Sequence, residues 1–177
     1  MLEYTQVAIL WLLRRLWLSL PFVLTAAVMV LSLAPANLLR GAVPAPDVTL
    51  AAVFFWAIYG PAFLPPWAVF VLGLGQDFSS GSPIGFWALI YLFAYGFTLS
   101  QRVFFIGRTL RGVWLGFAVV ALITAAATWV AGSIVYARWL PAGDIYLQAL
   151  VSIAVFPLVS KGFSMMRRLL TTAREAI

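Results

Sequence analysis

From Gly112 to Ala137 the chain runs for 26 residues without a charge. Coiled at 1.5 Å per residue, that stretch is about 39 Å long, enough to cross the roughly 30 Å hydrocarbon core of a bilayer. A spanning segment must satisfy its backbone hydrogen bonds internally, which a helix does. Five further apolar runs are set off by proline, glycine or charge: roughly 16–39, 48–64, 66–78, 84–100 and 145–162. The expected fold is all-α, a polytopic membrane protein of six transmembrane helices with short loops in a single domain over residues 1–177.

Composition closes off the alternatives. The chain is 64% hydrophobic and 9% charged, with mean hydropathy +1.05. A soluble domain is about 45–50% apolar and about 25% charged, and a fold of this size could not hide the excess. Histidine and cysteine are absent, which removes His-based triads, Cys nucleophiles, zinc sites of the usual kind and disulfides. The acidic residues are only Glu3, Asp47, Asp77, Asp144 and Glu175. No Walker-type phosphate loop is present. A non-enzymatic chain without cofactor or metal is expected.

Runs two and three are short and meet at Pro65-Pro66. Each would reach only about 20–25 Å, which requires bilayer thinning or shielding behind neighbouring helices. Run three is the one expected to break or re-enter. Ala34-Pro35-Ala36 resembles a signal-peptidase site, but the first apolar run exceeds the usual 7–15 residues of a signal peptide, so a retained helix is expected.

The net charge of +6 is concentrated at run ends. With six spans and an inside amino terminus, the inside segments hold Arg14 and Arg15; Arg102, Arg108 and Arg111; and Lys161, Arg167, Arg168 and Arg174. Only Arg40 and Arg138 fall outside. Nine against two obeys the positive-inside rule, so both termini are expected in the cytoplasm. Merging runs two and three moves the amino terminus outside and gives eight against three. The basic residues read as anchors on an anionic inner leaflet; a nucleic-acid surface has no soluble domain to sit on.

The most informative local pattern is Gly75-x-Asp77…Gly81-x-Pro83-x-Gly85. A carboxylate at bilayer depth costs about 2.5–3.5 kcal/mol and needs a donor. Backbone N–H groups at the start of the fourth helix are candidates, as are Ser79, Ser80 and Ser82. Gly81 and Gly85 permit a tight turn, and Pro83 suits the first turn of the fourth helix. The plainest reading is a hydrogen-bonded loop capping two helices; a ligand, ion or partner site at Asp77 is the alternative. A second pattern is the small face of Gly112, Gly116, Ala121, Ala125, Thr128 and Gly132, which permits close helix packing within the chain or against another protein.

Short spans, minimal loops and the glycine-rich Asp loop followed by Trp87, Tyr91 and Tyr95 resemble the MreD family. The resemblance covers the chain in length and topology, and its motif proper runs from Gly73 to Tyr95. It implies a bacterial inner-membrane, non-catalytic scaffold of the rod-shape machinery. Such a scaffold binds an MreC-like single-span protein. It couples a cytoplasmic actin-like filament to periplasmic peptidoglycan synthesis, with RodA and a class B penicillin-binding protein as further partners and anionic lipids around it. It also implies a fold similar to the substrate-binding (S) components of energy-coupling-factor transporters. The alternative function follows from that: a vitamin-binding S component, suggested by the six spans and by aromatics such as Phe54, Phe55, Trp56 and Trp87.

Overall fold

The computed structural model describes residues 21–30 and 44–175. Arg14, Arg15 and Arg40, and most of the first expected span, lie outside the described residues. The described chain is helical: α1 (Pro21–Val30), α2 (Val48–Tyr59), α3 (Pro66–Ser80), α4 (Phe86–Ser100), α5 (Arg102–Phe105), α6 (Leu110–Val135) and α7 (Ala142–Glu175). Strands are absent among the described residues.

Two helices, α6 and α7, are long and apolar enough to cross a membrane by themselves. The 12 residues of α2 reach only about 18 Å. Their sequence is apolar on every side, the signature of an enclosed helix, and every residue from Thr49 to Ile58 is buried. The surroundings are α4 on one flank and α7 on another, with α6 and α5 closing the ring. α2 is thus shielded by its neighbours.

The middle of the bundle is aromatic. The Phe117 and Phe156 rings stack at 4.1 Å, and Phe54 meets both edge-on at 5.4 and 5.7 Å. Edge-to-face and offset pairs are the favoured geometries. These rings fill the space where α2, α6 and α7 converge.

α3 and α4 form the most extensive pair. Gly73 makes this possible: a Cβ there would overlap the Ala88 backbone. Small residues let membrane helices approach this closely. On the other flank of α3, Phe22 of α1 lies 6.1 Å from the Trp67 ring.

The structure departs from the expected boundaries in three places. α2 ends at Tyr59, and residues 60–64 turn back toward the double proline. Run three is an unbroken 15-residue helix with Pro66 in its first turn, where a missing N–H costs nothing. The last helix does not end near residue 162 but continues, with Pro157 inside it, through the basic tail to Glu175. Proline removes the N–H that would bond the carbonyl four residues earlier, and that carbonyl belongs to Ile153. Trp114 of α6 supplies the replacement, its indole Nε1 donating to the Ile153 oxygen at 2.8 Å. A neighbouring helix thus repairs the defect, as membrane proteins permit.

Candidate functional site

α3 ends at Gly81, whose φ of +66° is left-handed. The Gly81 and Ser82 amides both donate to the Asp77 main-chain oxygen, closing a glycine-terminated helix end. Four residues separate Gly81 from Phe86, the first residue of α4. Gly85 among them has φ +96°, which L side chains avoid. Pro83 therefore does not open α4, as the sequence suggested. It lies in the preceding turn, where its carbonyl accepts from the Phe86 amide at 3.1 Å.

No residue at the start of α4 caps it with a side chain. The cap comes from the preceding helix. The Asp77 carboxylate accepts from Gly85 N at 2.8 Å through Oδ2 and from Trp87 N at 2.7 Å through Oδ1. Asp77 is 1% exposed. An anion at a helix amino terminus is favoured by both the dipole and the orphan amides. The backbone donors foreseen from the sequence are the ones used. The serines are engaged elsewhere: Ser79 and Ser80 donate back to Gly75 and Gln76 carbonyls, and Ser82 pairs with Ser80 and accepts from Trp87 Nε1 at 3.2 Å. Gly75 packs against the Met29 methyl of α1.

One turn further along α4, Tyr91 leads to a second carboxylate that local pattern did not reveal. Its hydroxyl donates to Asp47, 3.1 and 3.2 Å from the two oxygens. Asp47 also caps α2, accepting from Leu50 N at 2.8 Å, while its own amide donates to Ser152 of α7. Burial pushes the Asp47 carboxyl up to about 6, against the opposing pull of the Leu50 amide and the Tyr91 hydroxyl. Four helices are knotted here by two acids.

The opposite end of the bundle is basic. Arg102 Nε donates to the Ile58 carbonyl at 2.7 Å, closing the end of α2. The Arg167 guanidinium lies 4.8 Å from the Tyr59 ring centre, within cation–π range. Arg108 and Arg111 follow at the start of α6. Asp47, Asp77 and Asp144 stand at one end and these arginines at the other. Lys161 and Arg168 lie on the far half of α7, beyond Pro157.

The small face of α6 is divided. Ala121, Ala125, Thr128 and Gly132 are buried. A Cβ on Gly116 would strike the Phe105 ring, and one on Gly132 would lie 2.7 Å from Leu140. Gly112 faces the Arg108 stem.

The Asp47 and Asp77 carboxylates and the Arg102 Nε–H are spent on backbone and side-chain partners, and the centre of the bundle is filled by rings. That chemistry fits a built scaffold. A family model described as rod shape-determining protein MreD matches residues 13–166. The chain belongs to the MreD family. MreD membership makes it a membrane protein with a role in rod shape determination. No curated protein and no solved structure matches the chain.

Proposed function

We propose that this MreD-family chain is a non-catalytic, six-span scaffold of the bacterial inner membrane with both termini in the cytoplasm. It binds an MreC-like single-span protein and couples the cytoplasmic filament to periplasmic peptidoglycan synthesis by RodA and a class B penicillin-binding protein. The observation that carries this reading is where the polar chemistry is spent. The Asp47 and Asp77 carboxylates hold helix ends, and the interior is occupied by Phe54, Phe117 and Phe156. What is left for recognition is the apolar exterior, including Leu89, Phe93, Leu115 and Val119, where association relies on close packing.

The basic cluster of Arg102, Arg108, Arg111 and Arg167 at the end away from Asp47, Asp77 and Asp144, against Arg138 alone at the aspartate end among the described residues, supports the orientation, since cytoplasmic segments carry the excess of arginine and lysine. Because the chain has no cysteine, single-cysteine variants report topology directly. I84C is expected to react with an impermeant maleimide from outside intact cells, and T109C only after permeabilisation. Purification at native expression in a mild detergent is expected to bring a single-span protein with the chain. Isolation of the chain alone would overturn the scaffold reading.

A further inference from the structure

α6 ends in a motif that normally employs glycine. The Ala137 amide donates to the Ile134 carbonyl and the Arg138 amide to the Ser133 carbonyl, both at 3.2 Å. Ala137 therefore occupies the left-handed position at φ +48°, the only non-glycine residue with positive φ among the described residues. Around this corner lies an open cleft of about 400 Å³. Its walls are Trp129, Val130, Ile134 and Trp139, and its rim is Arg138. The two tryptophan rings are 5.5 Å apart. Trp129 Nε1 donates to the Leu140 carbonyl at 2.9 Å, and the Leu140 side chain seats against Gly132. The Trp129 wall is thus fixed in place.

Three further features define what fits. The Arg138 guanidinium has no acceptor among the described residues. Trp139 and Ile134 are 82% and 74% exposed. Finally, the cleft heads a continuous apolar stripe down α6, where Leu115, Val119, Leu122 and Val130 recur at helical spacing and are exposed. Gly132, beside the cleft, lies against Phe86 at the start of α4, so the cleft sits at the Asp77 end, remote from the basic cluster.

We propose that this cleft binds one anionic phospholipid, its phosphate on Arg138, its glycerol region against the exposed face of Trp139, and an acyl chain along the α6 stripe. An arginine fork matches phosphate oxygens in pairs, tryptophan belongs at headgroup level, and a stripe of this length suits a hydrocarbon chain, which free phosphate lacks. The site is distinct from the leaflet anchors and independent of the partner proposed above.

The test uses the full chain carrying photoreactive p-benzoylphenylalanine in place of Val130, with Val71 on α3 as the control position, in nanodiscs of equimolar phosphatidylglycerol and phosphatidylcholine. After illumination, mass spectrometry identifies the attached lipid. Phosphatidylglycerol is expected to be enriched about tenfold at 130 over 71, the factor that one charge-assisted bond contributes to affinity. R138Q should bring the ratio to parity, and R138K should keep part of it. Equal ratios at both positions, or enrichment that survives R138Q, would overturn the proposal. So would photoproducts in cells that are mainly with another polypeptide.

Discussion

The Asp77 and Asp47 carboxylates are held by different kinds of donor, and that difference sets an order of tolerance to amide replacement. Asp77 accepts from two main-chain amides, Gly85 N on one oxygen and Trp87 N on the other. Neither donor can turn away. In D77N one of these amides must face an NH₂ group. A bond to a charged group is worth about 1.5–3 kcal/mol, and a buried N–H left unpaired costs a similar amount, so the substitution is expected to cost about 3 kcal/mol in all. For a chain of this length each kcal/mol moves the melting midpoint by about 2–4 °C, which places the drop at roughly 6–12 °C by the same scaling. Asp47 presents a contrasting case. Its Oδ1 bonds Leu50 N and Asn would keep that acceptor, while the Tyr91 hydroxyl can rotate to accept from the new amide. D47N is expected to stay within about 1 kcal/mol of the parent. Thermal unfolding in dodecyl maltoside micelles at pH 7.5, followed by intrinsic tryptophan fluorescence, measures both. A D77N midpoint within about 2 °C of the parent, or a D47N loss as large as that of D77N, would refute the reasoning.

The same aspartate gives a pH signature. Because burial raises Asp47 to about 6 from 3.8, its contribution to stability is fully present below about pH 3.8 and is lost as pH rises through 6. The parent should therefore be more stable at pH 5 than at pH 7.5, by about 1.4 kcal/mol, and D47N should remove that difference. W114F strands the Ile153 carbonyl and should cost about 1–2 kcal/mol. In a P157A background a main-chain N–H takes over, so a double-mutant cycle by SDS unfolding should give a coupling near 1 kcal/mol, and additivity would contradict the repair. G73A drives a methyl into the Ala88 backbone and should cost about 3 kcal/mol or abolish the monodisperse peak on size exclusion. A137G relieves a left-handed alanine and should raise stability by about 1 kcal/mol, read as a higher melting midpoint.

Sequence reasoning reached the local features because their causes are local. Uncharged runs mark where helices lie, Pro65-Pro66 and the Gly81–Gly85 turn mark where they stop, and Asp77 is separated from its donors by only eight and ten residues. What stayed hidden is paired across long stretches of chain. Tyr91 and Asp47 are 44 residues apart, as are Arg102 and Ile58, and Ser152 reaches Asp47 across 105. Nothing in the neighbourhood of Asp47 separates it from an ordinary loop aspartate, because its partner is a tyrosine on another helix. The extension of α7 through Pro157 was missed for the same reason: the residue that rescues it, Trp114, belongs to α6. Arg102, counted among the leaflet anchors, spends its Nε–H on α2.

The enclosure of α2 has a consequence for biogenesis. Its twelve residues are too few to settle across lipid unaided, and one of the walls around it, α7, is synthesised only after α3, α4 and α6. The nascent chain must therefore hold an incomplete hairpin in the translocon or at the interface until α7 has been made. A chain truncated before α7 would leave Phe55 and Trp56 without the Phe163 ring they pack on and would present quality-control proteases with an unseated helix.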